Sequence, residues 1–246
     1  MARWGMVIDT RRCVGCQTCT IACMQEQGLP AGTAWRFVVD CEVGEYPDVR
    51  RLFLPMQCMH CAEPPCVPVC PTGASRQRAD GIVWIQYNAC VGCGYCAVAC
   101  PYHARHRVHE APGYFSAPTA SESATAQPER HDVMTKCTFC KERVDEGLAQ
   151  GLTPGVDAVA TPMCSVACIA NAIVFGDLDD PATAGPLSAK VLDEPTSADV
   201  IPKHSGTGKV TRRGRDRFAA ACREVLGHPL PFARGAEAAL TQDDPR

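Results

Sequence analysis

Sixteen of the eighteen cysteines in this 246-residue chain fall into four groups whose spacing suits iron and sulfide. The run from Cys90 to Pro101 carries thiols at Cys90, Cys93, Cys96 and Cys100, three at every third position and a fourth after three more residues, followed by proline. A cube of four irons and four sulfides takes one thiolate per iron, and a chain curling round one corner presents three of them from a single loop. Gly92 and Gly94 permit the curl and expose backbone N–H groups to the sulfurs. The fourth cysteine, expected where a helix begins, points away from that loop and ligates a second cube. One such run therefore implies a partner run.

Three more are present. Cys13, Cys16, Cys19 and Cys23 repeat the spacing, and Cys13 to Cys23 agrees with Cys90 to Cys100 at seven of eleven positions, which marks an internal duplication. Cys58, Cys61, Cys66 and Cys70 form a variant with four residues between the second and third thiols, followed by Pro71. Cys137 and Cys140 form a close pair, and Cys164 and Cys168 complete a stretched fourth set. Four sets of four thiolates suffice for four 4Fe-4S clusters. Cys41 reads as a small buried hydrophobe of a strand and Cys222 as a residue of a helix face.

A disulfide scaffold fits poorly, because such scaffolds are short secreted chains and do not repeat this spacing. Zinc is the stronger competitor, since Cys-x-x-Cys pairs bind it tetrahedrally, but three thiols in successive x-x steps are not a zinc-knuckle pattern. Formal net charge is −3 and the basic residues are scattered, so nucleic acid is not indicated. The start from Met1 to Asp9 lacks the basic, apolar and small-residue regions of a signal peptide, and no apolar segment follows Arg11-Arg12. Residues Ile82 to Ala104 and Ala158 to Gly176 carry no Asp, Glu, Lys or Arg, but both contain cluster ligands and proline, and neither is read as a membrane span. Charge is missing there because a bare charge beside a buried cluster would be costly.

The elements that must position these thiols are short. Trp4 to Asp9 and Gly81 to Tyr87 read as strands leading into the first and third runs. Thr20 to Gln27 reads as a helix closed by Gly28 and Pro30. Trp35 to Glu42 and Val49 to Leu54 read as a hairpin turning around Gly44 and Pro47. Pro64-Pro65 forbids helix inside the second run. His103, His106 and His109 alternate with Arg105 and Arg107 as a solvated or partner-facing basic patch. Ala111 to Glu129 is a surface insertion without a core pattern, Lys141 to Leu148 an amphipathic helix, and Arg215 to Leu226 a helix in the tail.

The four runs in this order, with Cys58-Met-His-Cys61-Ala-Glu-Pro-Pro-Cys66, Cys70-Pro-Thr-Gly, Lys136-Cys-Thr-Phe-Cys-Lys-Glu-Arg143 and Phe175-Gly-Asp-Leu-Asp-Asp-Pro181, resemble the four-cluster electron-transfer subunits of molybdopterin oxidoreductases. That family includes the iron-sulfur subunits of dimethyl sulfoxide, polysulfide, tetrathionate and arsenate reductases, of sulfite dehydrogenase and of phenylacetyl-CoA:acceptor oxidoreductase. The resemblance covers Met1 to about Pro181 and implies an α+β fold of two ferredoxin-like double-cluster modules with long loops and a C-terminal tail. It places residues 1–56 with 131–181 in one module and 57–110 in the other, leaving 111–130 as an insertion and 182–246 as a docking tail. It pairs the first run with the fourth and the second with the third. The ligand sets it implies are Cys13, Cys16, Cys19 with Cys168; Cys137, Cys140, Cys164 with Cys23; Cys58, Cys61, Cys66 with Cys100; and Cys90, Cys93, Cys96 with Cys70. Ile169, where the family usually has proline, is a departure.

The resemblance further implies a subunit with no catalytic residue of its own that relays electrons. Its partners would be a large catalytic subunit with a bis-pterin molybdenum or tungsten centre and a small integral-membrane, quinone-reactive subunit. Membrane association would come through partners, with the cytoplasmic side favoured over co-export to the periplasm. The competing expectations are a polyferredoxin subunit of a hydrogenase or formate-linked complex, and a zinc-bound interaction module.

Overall fold

The computed structural model describes residues 2–109, 115, 117–180 and 200–204. Its elements are short and mixed. Strand β1 (Trp4–Asp9) occupies the span its alternating pattern predicts, and helix α1 (Thr18–Glu26) follows the first cysteine loop. Strands β2 (Phe37–Val43) and β3 (Arg50–Met56) form the expected hairpin, in register from Phe37 opposite Met56 to Val43 opposite Arg50. Strands β4 (Ser75–Gln77) and β5 (Val83–Ile85) pair next to each other, and helix α2 (Tyr95–Val98) lies within the third run. Strand β6 (His106–Arg107) pairs with β7 (Met134–Thr135) across the insertion, which contains helix α3 (Ala120–Thr125). Helix α4 (Lys141–Ala149), helix α5 (Met163–Val166) and strand β8 (Ile173–Asp177) complete the fourth run and its exit. Strand β9 (Val200–His204) comes from the tail.

β1 is the centre of a three-stranded antiparallel sheet in the order β8-β1-β9. Trp4 pairs with Asp177 and Ile8 with Ile173 on one side, and Gly5 pairs with His204 and Asp9 with Val200 on the other. Trp4, Met6, Val7 and Ile8 are all buried, the pattern of a strand covered on both faces. The tail thus contributes a strand that its sequence did not announce. The helix expected at Arg215 to Leu226, and Cys222 with it, lies outside the described residues.

Two other local expectations change, and a third, the surface insertion, gains a helix with no buried residue. The strand expected over Gly81 to Tyr87 narrows to Val83–Ile85, because Tyr87–Ala89 tightens into a 3-10 turn before Cys90. The insertion is not wholly irregular: Thr119 caps α3, its side chain accepting from Glu122 N at 3.2 Å while Glu122 Oε2 accepts from Thr119 N at 2.7 Å. Cys41 is half-buried in β2 rather than part of the core.

The main core is built from aromatics and thiols together. Trp4 stacks on Phe175 with centroids 5.6 Å apart, Phe139 meets Phe175 edge-on at 5.6 Å, and His60 stacks on Phe139 at 3.8 Å. Cys19, Cys23, Cys58, Cys100, Cys137 and Cys164 pack in the same cluster of buried residues. Two links tie the fourth run and β1 to the segment between the second and third runs: Arg78 forms a fork with both Asp145 oxygens at 2.7 Å, and Trp4 N donates to Asp80 O at 3.2 Å.

Gly147 tests how closely α4 packs. A Cβ there would lie 2.2 Å from the Ala160 Cβ. Alanine would gain about 1 kcal/mol of helix propensity, but overpacking of this kind costs about 1–3 kcal/mol. Gly147→Ala is therefore expected to lower the thermal midpoint of the holo protein, whereas an unchanged or higher midpoint would show that the 158–160 turn gives way freely.

Candidate metal centres

The duplication seen in the first and third runs extends to the backbone. Gly15 and Gly92, which correspond, have φ of +69° and +65°, and Gln17 and Gly94, which also correspond, have φ of +60° and +80° as the residues that turn the chain into α1 and α2. The left-handed turn folds each loop back on itself so that its thiols face inward. At Gly92 the curl also brings the loop against its neighbour, since a Cβ there would stand 2.1 Å from the Asp132 carbonyl oxygen. The helices do not begin at the fourth cysteine as expected. α1 carries both Cys19 and Cys23, while Cys96 lies in α2 with Cys100 just beyond it, and Cys164 in α5 with Cys168 just beyond. One helical turn between the third and fourth thiols sets them ~6 Å apart along the axis on one face, so each can meet a different body.

The grouping in space crosses the runs. Cys13, Cys16 and Cys19 line one concavity together with Cys168, Val38 and Ile173. Burial pushes the Cys13 thiol up, and Cys19, Cys168 and Cys16 push it further against the opposing Gly15 N–H. Cys23 does not stay with its own run. It is buried, and its thiol is raised first by that burial and then by Cys137, Cys164 and Cys140. Cys61 is pushed up to about 12 by burial and by Cys58, Cys66 and Cys100. Cys70 packs with Cys90 and Cys96 in a second buried cluster, which also takes in Cys66. Cys16 and Cys93 are the exposed members of the sixteen.

Such groups fit an iron-sulfur core. Each holds several thiols whose charges repel one another in a dry setting, so deprotonation needs a cationic body between them. Donors for sulfur are in place. Ala172 N points at Cys168 Sγ (3.2 Å), Ser75 N at Cys70 Sγ (3.4 Å) and Met134 N at Cys90 Sγ (3.5 Å). Thr18 Oγ1 reaches Cys16 Sγ at 3.3 Å and lowers that thiol, and at Cys70 the burial is outweighed by the donors from Ser75, Thr72 and Ala74. Among the described residues no three His, Cys, Asp or Glu side chains converge as ligands of one metal ion. Ligands of a single zinc would stand ~3.8 Å apart, given Zn–S bonds of ~2.3 Å, whereas thiolates that each hold a separate iron surround a body rather than a point.

Sequence reasoning missed the buried cations. Arg36, Lys136, Arg105 and Arg130 are all buried, as is His60. Arg105 therefore leaves the solvated patch to which its alternation with histidines assigned it, while His103, Arg107 and His109 remain exposed and His109 Nδ1 lies 3.2 Å from Asp132. Lys136 Nζ donates to the Cys137 carbonyl at 2.6 Å, and Arg130 lies over the rings of Trp35 and Tyr87 at 4.9 and 5.6 Å. Their one sequence signal was position, since Lys136 abuts a cysteine run and Arg105 lies just past another. No helix of the described residues is long and apolar enough to cross a membrane.

Comparison with known proteins agrees with this chemistry. A family model described as a 4Fe-4S dicluster domain matches residues 49–116, which span the second and third runs. One subunit of the selenate reductase of Mesobacillus selenatarsenatis is 37% identical over 206 residues, 78% of this chain and 65% of the relative. One subunit of the sulfite dehydrogenase of Allochromatium vinosum is 36% identical over 197 residues, 74% of this chain and 71% of the relative. The iron-sulfur subunit of arsenate respiratory reductase from Shewanella sp. ANA-3 is 35% identical over 207 residues, 73% of this chain and 83% of the relative. Matching such relatives at 35–37% identity over about three quarters of its length, the chain belongs to the 4Fe-4S electron-transfer subunits of molybdopterin oxidoreductases.

Proposed function

We propose that this subunit holds four 4Fe-4S clusters in two ferredoxin-like modules. It relays electrons between a molybdenum or tungsten bis-pterin catalytic subunit and a small quinone-reactive membrane subunit. The ligand sets are Cys13, Cys16, Cys19, Cys168; Cys137, Cys140, Cys164, Cys23; Cys58, Cys61, Cys66, Cys100; and Cys90, Cys93, Cys96, Cys70. The modules are residues 1–56 with 131–181, and 57–110. The observation that carries the reading is the position of Cys23, drawn away from its own run toward three thiols more than a hundred residues distant in sequence. Bound clusters would supply a series of one-electron sites, and the chain's task is to hold them, exclude water and set their potentials through charge, burial and N–H donors. The names of the relatives point to respiratory oxyanion or sulfur-compound chemistry for the catalytic partner; association with the membrane, through partners and with the cytoplasmic side favoured, is part of the proposal.

Metal and sulfide analysis of the anaerobically isolated complex tests the count. Roughly sixteen irons and sixteen acid-labile sulfides per copy of this chain are expected, after subtraction of any iron in the catalytic subunit. A content near twelve would remove one cluster, and zinc in place of iron would end the electron-relay reading.

A further inference from the structure

Two buried arginines occupy equivalent places in the thiol framework although they are not equivalent residues of the duplication. Arg36 is 1% exposed and Arg105 6%. Neither has a carboxylate partner among the described residues. A guanidinium cannot shed its charge, so in such a setting it must be matched by negative charge from elsewhere. What surrounds these two is sulfur. Arg36 Nη1 donates to Cys164 Sγ at 3.4 Å and to Met6 Sδ at 3.5 Å, with Cys19 as its other thiol neighbour. Arg105 Nη2 donates to Cys66 Sγ and to Ser75 Oγ, each at 2.8 Å, with Cys96 as its other thiol neighbour.

The four thiols concerned share a position. Cys19, Cys164, Cys66 and Cys96 are the third cysteines of the first, fourth, second and third runs. Each arginine thus stands between the third thiols of two runs that, on the ligand sets proposed above, belong to different clusters of one module. A second feature points the same way. Arg36 Nε and Nη2 and Arg105 Nη1 are buried without a hydrogen-bond partner. An N–H left unpaired inside a protein is costly, and inorganic sulfide is the acceptor that this chemistry would bring beside them.

We propose that Arg36 and Arg105 are shared potential-setting cations, each donating to the sulfurs of two clusters in its module and holding both of their reduction potentials up together. Reduction adds one electron and no proton to a cluster, and the guanidinium offsets the added negative charge without titrating. Because the same cation faces both clusters, it shifts their two potentials in the same direction. Lys136 differs in geometry, since its ammonium donates to a backbone carbonyl, that of Cys137, at 2.6 Å.

The proposal rests on the ligand sets above, and its test separates the two. In the intact complex, Cys19→Ser and Cys164→Ser first assign the EPR signals of their clusters, and Arg36→Met and Arg36→Lys are then titrated against potential. Arg36→Met is expected to lower the reduction equilibrium constant of both assigned clusters by about tenfold or more, ~59 mV for a one-electron couple. The clusters of the other module should hold their potentials, and Arg36→Lys should return both shifted clusters most of the way. Arg105→Met should act likewise on the clusters of Cys66 and Cys96. Movement of one cluster alone, of none, or of all four equally overturns the shared role. If Arg36→Met loses iron, Arg36→Gln, which removes the charge but keeps an N–H donor, decides: with full iron, both assigned potentials lowered support the proposal, and both unchanged overturn it. Should Cys19→Ser and Cys164→Ser alter one and the same signal, the ligand sets fail and sharing fails with them. Two separate signals of which Arg36→Met moves only one leave the ligand sets standing and remove the sharing.

Discussion

Cys23→Ser is expected to empty the site of Cys137, Cys140 and Cys164 while the site of Cys13, Cys16 and Cys19, in whose run it lies, stays filled. Cys23 is on α1 one turn beyond Cys19, and both side chains are buried. Their neighbours differ: Cys19 bears on Cys13, while Cys137, Cys164 and Cys140 bear on Cys23. A serine hydroxyl is a far poorer iron ligand than a thiolate, and at this depth little water is at hand to replace it. The expected result is a loss of one EPR-active cluster in four and of about a quarter of the iron. Electron flow between the catalytic subunit and the acceptor should fall to background, because a series of sites is interrupted by any missing member. The measurement is an EPR redox titration of the variant complex beside wild type and Cys19→Ser. Loss of the signal that Cys19→Ser also removes would show that ligands do not cross between runs.

Removal of iron should unfold the described core rather than leave an empty shell. The residues at the centre of an ordinary domain are apolar, yet here Cys19, Cys23, Cys58, Cys100, Cys137 and Cys164 share the main core with Trp4, Trp35, Phe139 and Phe175. Beside them lie Arg36 and Lys136, each 1% exposed, whose charges need thiolates as counter-ions. A structural metal site contributes on the order of 10 kcal/mol to folding, whereas a whole domain is stable by only about 5–15 kcal/mol. Loss of all the clusters together therefore costs more than the fold retains. Anaerobic chelation with reductant should abolish the native circular-dichroism spectrum and expose the chain to protease from the first run to the fourth. A stripped chain that still melts cooperatively near the holo midpoint would show that apolar packing alone sustains the fold.

Some of this was legible without coordinates. The candidate ligands follow from spacing within each run, because three thiols separated by two residues can face one body only in a tight loop, and Gly15 and Gly92 take the left-handed φ that such a loop needs. β1, α1, the β2-β3 hairpin and α4 were readable from alternation, periodicity and Gly44 with Pro47, all local signals. The capped helix α3 escaped notice, although Thr119 and Glu122 stand three apart as a capping box does. Strand β9 escaped because its reason for being a strand is β1, nearly two hundred residues earlier.

By itself the sequence determined the chemistry: which thiols form runs, that the runs repeat, and that the chain carries electrons rather than making bonds. The tertiary structure added which thiols of distant runs come close, where the resemblance had only implied a pairing, and what lies between them. Contacts such as Cys23 with Cys137, or Arg36 with Cys164, join residues more than a hundred positions apart, and no local pattern encodes them. The burial of Arg36 and Arg105 is likewise a property of the assembled core. Each looks like any surface arginine until the fold brings sulfur to it, because a charge is admitted to a protein interior only where opposite charge has already been gathered.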